Sequence, residues 1–166
     1  MPIALKPEAS SIKPSKVYPL STKDKAIVDD TFDKLHAQNK LHWTTQPTPF
    51  GYPVFVVWRE VNGERKGRVV VDIRGLNKIT LPDSYPMPLQ SDIINAVAGC
   101  PYISVIDAQG YFHQWPVRAT DRSKLTVASH RGQEEFSVAV MGFKNSPPSV
   151  QRQTDKLLRP HRQYAR

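Results

Sequence analysis

The chain has 166 residues, 39% hydrophobic and 9% aromatic, enough to bury the core of one domain or of part of a larger one, which excludes a disordered tail. Its 23 Lys and Arg against 15 Asp and Glu leave a net charge of +8, an excess that favours a polyanionic partner such as nucleic acid. A single cysteine, Cys100, excludes an internal disulfide and a multi-cysteine zinc site. No apolar run approaches the ~20 residues that span a bilayer. MPIALKPEAS also lacks the apolar stretch of a signal peptide, so an intracellular protein without a membrane partner is expected, in cytoplasm or nucleus.

Residues 1–20 hold Pro2, Pro7, Pro14 and Pro19 among Lys and Ser, which predicts an extended arm. Ser21 can cap the amides around Asp24 and start a helix. Its apolar positions Ile27, Val28, Thr31, Phe32 and Leu35 recur at helical spacing until Asn39 marks a stop. A turn-rich connector, TTQPTPFGYP, leads into two β-rich runs, Val54 to Trp58 and Arg68 to Asp72. Asn62-Gly63 between them supplies the positive-φ turn of a hairpin. Its loop is expected to exceed the two-residue minimum and to carry Arg59, Arg65 and Lys66, as a phosphate-touching tip or simply as a solvated one. After DIRGLNKIT and the Pro-punctuated LPDSYPMPLQ, Leu89 to Ala98 reads as a short helix with Leu89, Ile93, Ile94 and Val97 inward and Gly99 at its end.

Tyr102 to Val117, YISVIDAQGYFHQWPV, opens with Ile103, Val105 and Ile106, which predicts a short, mostly buried strand ending on Asp107. A carboxylate held at a strand exit suits a metal-binding acid of a phosphoryl-transfer site; it also suits a cap of the following turn. Leu125 to Ser129 and Glu134 to Val138 form another hairpin around Arg131-Gly132. Ser146 as cap and Pro147 at the first helical position start a last helix, with Val150, Thr154, Leu157 and Leu158 on its apolar face and Pro160 at its end. The run Arg152, Lys156, Arg159, Arg162, Arg166 suits phosphate tracking with little sequence preference.

Four segments, PFGYPVFVVWRE, RVVVDIRGLNKIT with YPMP, ISVIDAQGYFHQ and GQEEFSVAVMGFKNSPPSVQR, together resemble the fingers and palm of reverse transcriptases from gypsy-type LTR retrotransposons, most closely the fungal ones. The resemblance covers Tyr18 to the last residue and implies an α+β, right-hand polymerase fold. After the extended arm over 1–20, it further implies a fingers-type region over 21–98 and a partial palm, its antiparallel sheet backed by helices, over 99–166. The implied activity is RNA-directed DNA polymerisation, with an RNA template, a DNA primer or hybrid and deoxynucleoside triphosphates as partners, alongside the rest of a pol polyprotein.

Residue by residue, Asp107 matches the first catalytic aspartate, which binds both Mg2+ ions of a two-metal phosphoryl transfer. Phe112 matches the aromatic gate against the sugar of the incoming nucleotide. The stretch Ala108, Gln109, Gly110 and Tyr111 would lie near the triphosphate, which Arg59 and Arg68 would grip. Met141 and Gly142 match the loop beside the nascent base pair; many viral relatives carry Gln where Met141 stands. Arg74, Asn77, Phe143 and Lys144 resemble residues at the template-facing side. The family's next motif, Tyr-x-Asp-Asp, is absent from these 166 residues, so the chain reads as a fragment with one metal ligand of three, inactive by itself. The alternative is a non-catalytic basic nucleic-acid-binding remnant or a domesticated or decayed element protein.

Overall fold

A computed structural model describes residues 1–7, 9 and 16–161. Helix α1, Thr22–Ala37, begins where expected: the Ser21 hydroxyl accepts from the Asp24 amide at 3.2 Å, and the Asp24 carboxylate accepts from the Ser21 amide at 3.3 Å. These reciprocal bonds satisfy two of the amide groups that a helix start leaves without partners. Asn39, at φ 55, turns the chain out of the helix. Val28, Phe32 and Leu35 lie on its buried face.

That face covers a five-stranded sheet of order β1-β5-β4-β2-β3. The strands are β1, Leu41–Trp43; β2, Tyr52–Val61; β3, Glu64–Val71; β4, Thr126–Ser129; and β5, Gly132–Phe136. The sheet is mixed rather than antiparallel throughout, because β2 and β4 run parallel at Tyr52↔Val127 and Pro53↔Ala128. Phe32 meets Phe136 edge to face, with Leu41, Val54, Val127 and Phe143 in the same core. Burying each such side chain contributes about 1.5–3 kcal/mol.

Several expectations are corrected. The β2–β3 ladder runs to Val61↔Glu64, so its loop is the two-residue minimum: Asn62 and Gly63 at φ 54 and 78, a pair that matches the twist of the strands. Arg59, Arg65 and Lys66 therefore stand on paired strands and not on a long loop. RGLNKI, directly after Asp72-Ile73, forms a short helix, α2, Arg74–Ile79. The last helix, α4, spans Ser146–Leu158 and is capped one residue earlier than expected, at Asn145. Of its expected apolar face Val150 is buried, while Leu157 and Leu158 are exposed. Arg162 and Arg166 of the basic run lie outside the described residues.

The largest difference concerns the expected buried strand before Asp107. Residues 102–106 pair with no strand, and Tyr102, Val105 and Ile106 are 93%, 87% and 95% exposed. Helix α3, Gln90–Val97, forms as expected but buries none of its residues, leaving Leu89, Ile93 and Ile94 exposed. The physical reason is shared: alternating apolar residues bury themselves only against a partner element, and none of the described residues supplies one there.

The start of the chain is not a free arm. Ile3 is buried, its amide donates to Asp121 Oδ2 at 3.1 Å, and Leu5 bridges Thr80.

Candidate nucleotide and nucleic-acid site

Gly110, at φ 57, takes the left-handed conformation that turns the chain into a 3-10 helix, Tyr111–Gln114. Gln114 Nε2 donates to the Gln109 carbonyl at 2.7 Å and closes this turn. Tyr111 stands edge to face with Trp115, and its hydroxyl contacts that of Thr154 on α4. Phe112 is half-buried beside Tyr111. His113 stacks on Phe136, and burial, with the positive charges of Lys40 and Arg68, holds its imidazole below the usual histidine range.

Arg68 is exposed on β3, and its guanidinium contacts the thioether of Met141. Met141 opens a loop of which Gly142, at φ 87, is the pivot. Asn77, on α2, donates from Nδ2 to the Gly142 carbonyl at 2.8 Å and accepts from the Lys144 amide at 2.9 Å. The Lys144 ammonium reaches the Thr80 carbonyl. Phe143 is a core residue, 1% exposed, so its ring is packed inside and does not face a template.

Arg74 stands 82% exposed, yet it is fixed by two bonds to Asp72, 2.8 and 2.7 Å, with Tyr18 donating to the same carboxylate at 2.7 Å. The Arg74 guanidinium, helped by Tyr18, holds the Asp72 carboxyl well below its usual range. Two such fork bonds aim a guanidinium more firmly than charge alone.

The structure thus joins Arg68 to Met141, and Asn77 to Gly142 and Lys144, from three separate segments. It leaves two expected residues apart: Arg59 is exposed on β2 opposite Lys66, and Asp107 is exposed on the unpaired stretch. Among the described residues no group of three or more His, Cys, Asp or Glu side chains is placed to hold a metal. One exposed carboxylate does not fit a pair of hard cations, which need several oxygen ligands each.

Sequence reasoning missed the brackets behind this surface. Arg152 forks onto Asp83 at 2.8 and 2.6 Å while lying over the Tyr85 ring, and Tyr85 donates to Asp155 at 2.6 Å. Asn145 Nδ2 donates to the Leu81 carbonyl at 2.7 Å. No local signal announces these bonds: Asn145 stands at the cap position of α4, yet its carboxamide makes no cap bond and turns to Leu81 and Asp83 instead.

No family model matches the chain. The retrovirus-related Pol polyprotein from transposon 297 of Drosophila melanogaster is 32% identical over 148 residues, 88% of this chain and 14% of that polyprotein. The Pol polyprotein from transposon gypsy of the same fly is 30% identical over 115 residues, 68% of this chain and 11% of that one. A crystal structure of prototype foamy virus protease-reverse transcriptase superposes with a TM-score of 0.79 at 23% identity, covering 96% of this chain and 21% of that chain. The fold is thus the α+β fold of a reverse transcriptase's fingers and palm. The chain belongs to the retrovirus-related Pol polyproteins of gypsy-type transposons. It spans only 14% and 11% of the lengths of these two curated relatives.

Proposed function

We propose that this chain supplies the nucleotide- and template-facing surface of an RNA-directed DNA polymerase, with residues 21–98 acting as fingers and the residues from 99 onward as part of the palm. The observation that carries the reading is the contact of Arg68 on β3 with Met141, whose loop Asn77 of α2 holds at Gly142 and Lys144, three segments far apart in sequence. In this reading Arg68 leaves the Met141 thioether to bind the triphosphate of a deoxynucleotide, where charge-assisted hydrogen bonds are strong. The amides of Ala108 to Phe112, turned by Gly110, face the same phosphates. The half-buried Phe112 ring lies against the sugar and excludes a 2′-hydroxyl. Gly142 lets the loop approach the base pair closely. Arg59, Arg74 and Lys144 add phosphate contacts along a template or hybrid, consistent with the +8 charge. Asp107 would hold magnesium only together with carboxylates from outside these residues.

The test is equilibrium binding of the chain to a labelled deoxynucleotide and to the matching ribonucleotide. Phe112→Ala should narrow the difference between the two sugars, and Arg68→Ala should weaken both about tenfold or more, the scale of one lost charge-assisted bond. Equal affinity of the unaltered chain for both sugars would refute the sugar-gate role.

A further inference from the structure

Asn77 and Asn145 form a reciprocal pair of rivets between two segments that sequence separates by more than sixty residues. Asn77, half-buried on α2, engages the carbonyl of Gly142 and the amide of Lys144 at 2.8 and 2.9 Å. Asn145, 8% exposed, engages the carbonyl of Leu81 at 2.7 Å and the amide of Asp83 at 3.1 Å. In both cases one carboxamide bridges the C=O of one residue and the N–H of the residue two further on. One residue of a parallel strand engages its neighbour in the same pattern, so each side chain substitutes for a missing strand. The geometry uses both ends of each amide, so Asn77 has one carboxamide donor hydrogen left and little capacity to read a template.

We infer that Asn77 is a positioning residue: it holds the Met141–Lys144 loop on α2 and so sets where Met141 meets Arg68. The inference rests on the proposed reading of that loop as a wall of the nucleotide site. Gly142 shows why a clamp is needed there. At φ 87 it has no side chain to pack, and its carbonyl bond to Asn77 ties the turn to α2, alongside the Lys144 ammonium on the Thr80 carbonyl. The two ends of the carboxamide are separable by substitution. Asp keeps the oxygen that accepts from Lys144 but loses the donor to Gly142 and sets a charge against its carbonyl. Ala loses both bonds.

The experiment combines amide hydrogen exchange with nucleotide binding on the whole chain. Asn77→Ala should reduce protection of the Lys144 amide about tenfold, whereas Asn77→Asp should largely retain it, because one bond of ordinary strength controls that opening. Both variants should bind a labelled deoxynucleoside triphosphate about fivefold more weakly and single-stranded RNA as before. Thermal melting of all three proteins shows whether either variant has lost its fold. Unchanged Lys144 protection in Asn77→Ala overturns the clamp. Weakened RNA binding with unchanged nucleotide affinity overturns the positioning role and makes Asn77 a template contact. An unaltered chain that binds no nucleotide overturns the functional reading itself, and the inference with it.

Discussion

His36 Nε2 lies 2.8 Å from Oε1 of Glu134, a carboxylate with no solvent exposure. The Nε of Arg131 approaches the same oxygen at 3.3 Å, while the Arg131 guanidinium lies over the rings of Trp43 and Phe32 and reaches Asp33 at 2.7 Å. This cluster joins α1 to β1 and β5 and takes no part in the nucleotide surface.

Its first consequence is for stability. Glu134→Ala removes the carboxylate beside His36 and one of the three that Arg131 meets, leaving it Asp29 and Asp33, and opens a cavity, so it should cost about 3 kcal/mol, the low end of the range for breaking a buried pair. Glu134→Gln, which keeps an acceptor for both neighbours, should cost clearly less. Urea unfolding of the three proteins measures this, and equal loss in both variants would mean that the charge itself is what matters.

Acid should loosen the brackets. The Asp72 carboxyl is held below its usual range by Arg74 and Tyr18, and that of Asp83 by its bonds to Arg152. A carboxylate whose folded pKa is depressed contributes stability that is complete above its unfolded value, about 3.9, and is lost as pH falls through the folded one. The melting temperature should therefore fall below about pH 4. Replacing Asp72 with Asn should flatten that fall, and a curve as steep as the parent's would show that other carboxylates carry it.

The exposed apolar surface predicts association. Leu89, Ile93, Ile94, Tyr102, Ile103, Val105 and Ile106 are 41–95% exposed along one stretch of chain. Contiguous patches of this kind drive self-association in isolated chains. Sedimentation of the 166-residue chain should show concentration-dependent species, reduced in Ile106→Lys. If the charged variant associates as strongly, the contact lies elsewhere.

The chain by itself should not extend a primer. Of the acids after Asp107, Glu134 is buried against His36 and Arg131, Glu135 stands on β5 between His42 and Thr126, Asp121 is paired with Lys124 at 2.5 Å, and Asp155 is bonded by Tyr85 and Gln151. None is placed to join Asp107 as an oxygen ligand for a hard cation. Primer extension on an RNA template should succeed only in a version continued through a Tyr-x-Asp-Asp hairpin and a thumb, and Asp107→Asn should abolish it there. Extension by the 166 residues themselves, lost on Asp107→Asn, would overturn this.

Local signals in the sequence determined the features that depend on a few neighbouring residues. The Ser21 cap with Asp24, the Asn62-Gly63 turn, the apolar face of α1 and the start of α4 near Ser146 are all such features, because capping and positive φ are decided within a turn of chain. The order of its four motifs likewise determined its family. Only the tertiary structure decided the rest. Whether YISVI becomes a strand depends on a partner to pair with, and whether Leu89 and Ile94 point inward depends on something to point at. No local pattern encodes that Asn77 would spend its amide on Gly142 and Lys144, or that Glu134 would be buried on His36. These residues are polar in sequence, and their roles come from segments that the fold brings together across 65 to 98 positions.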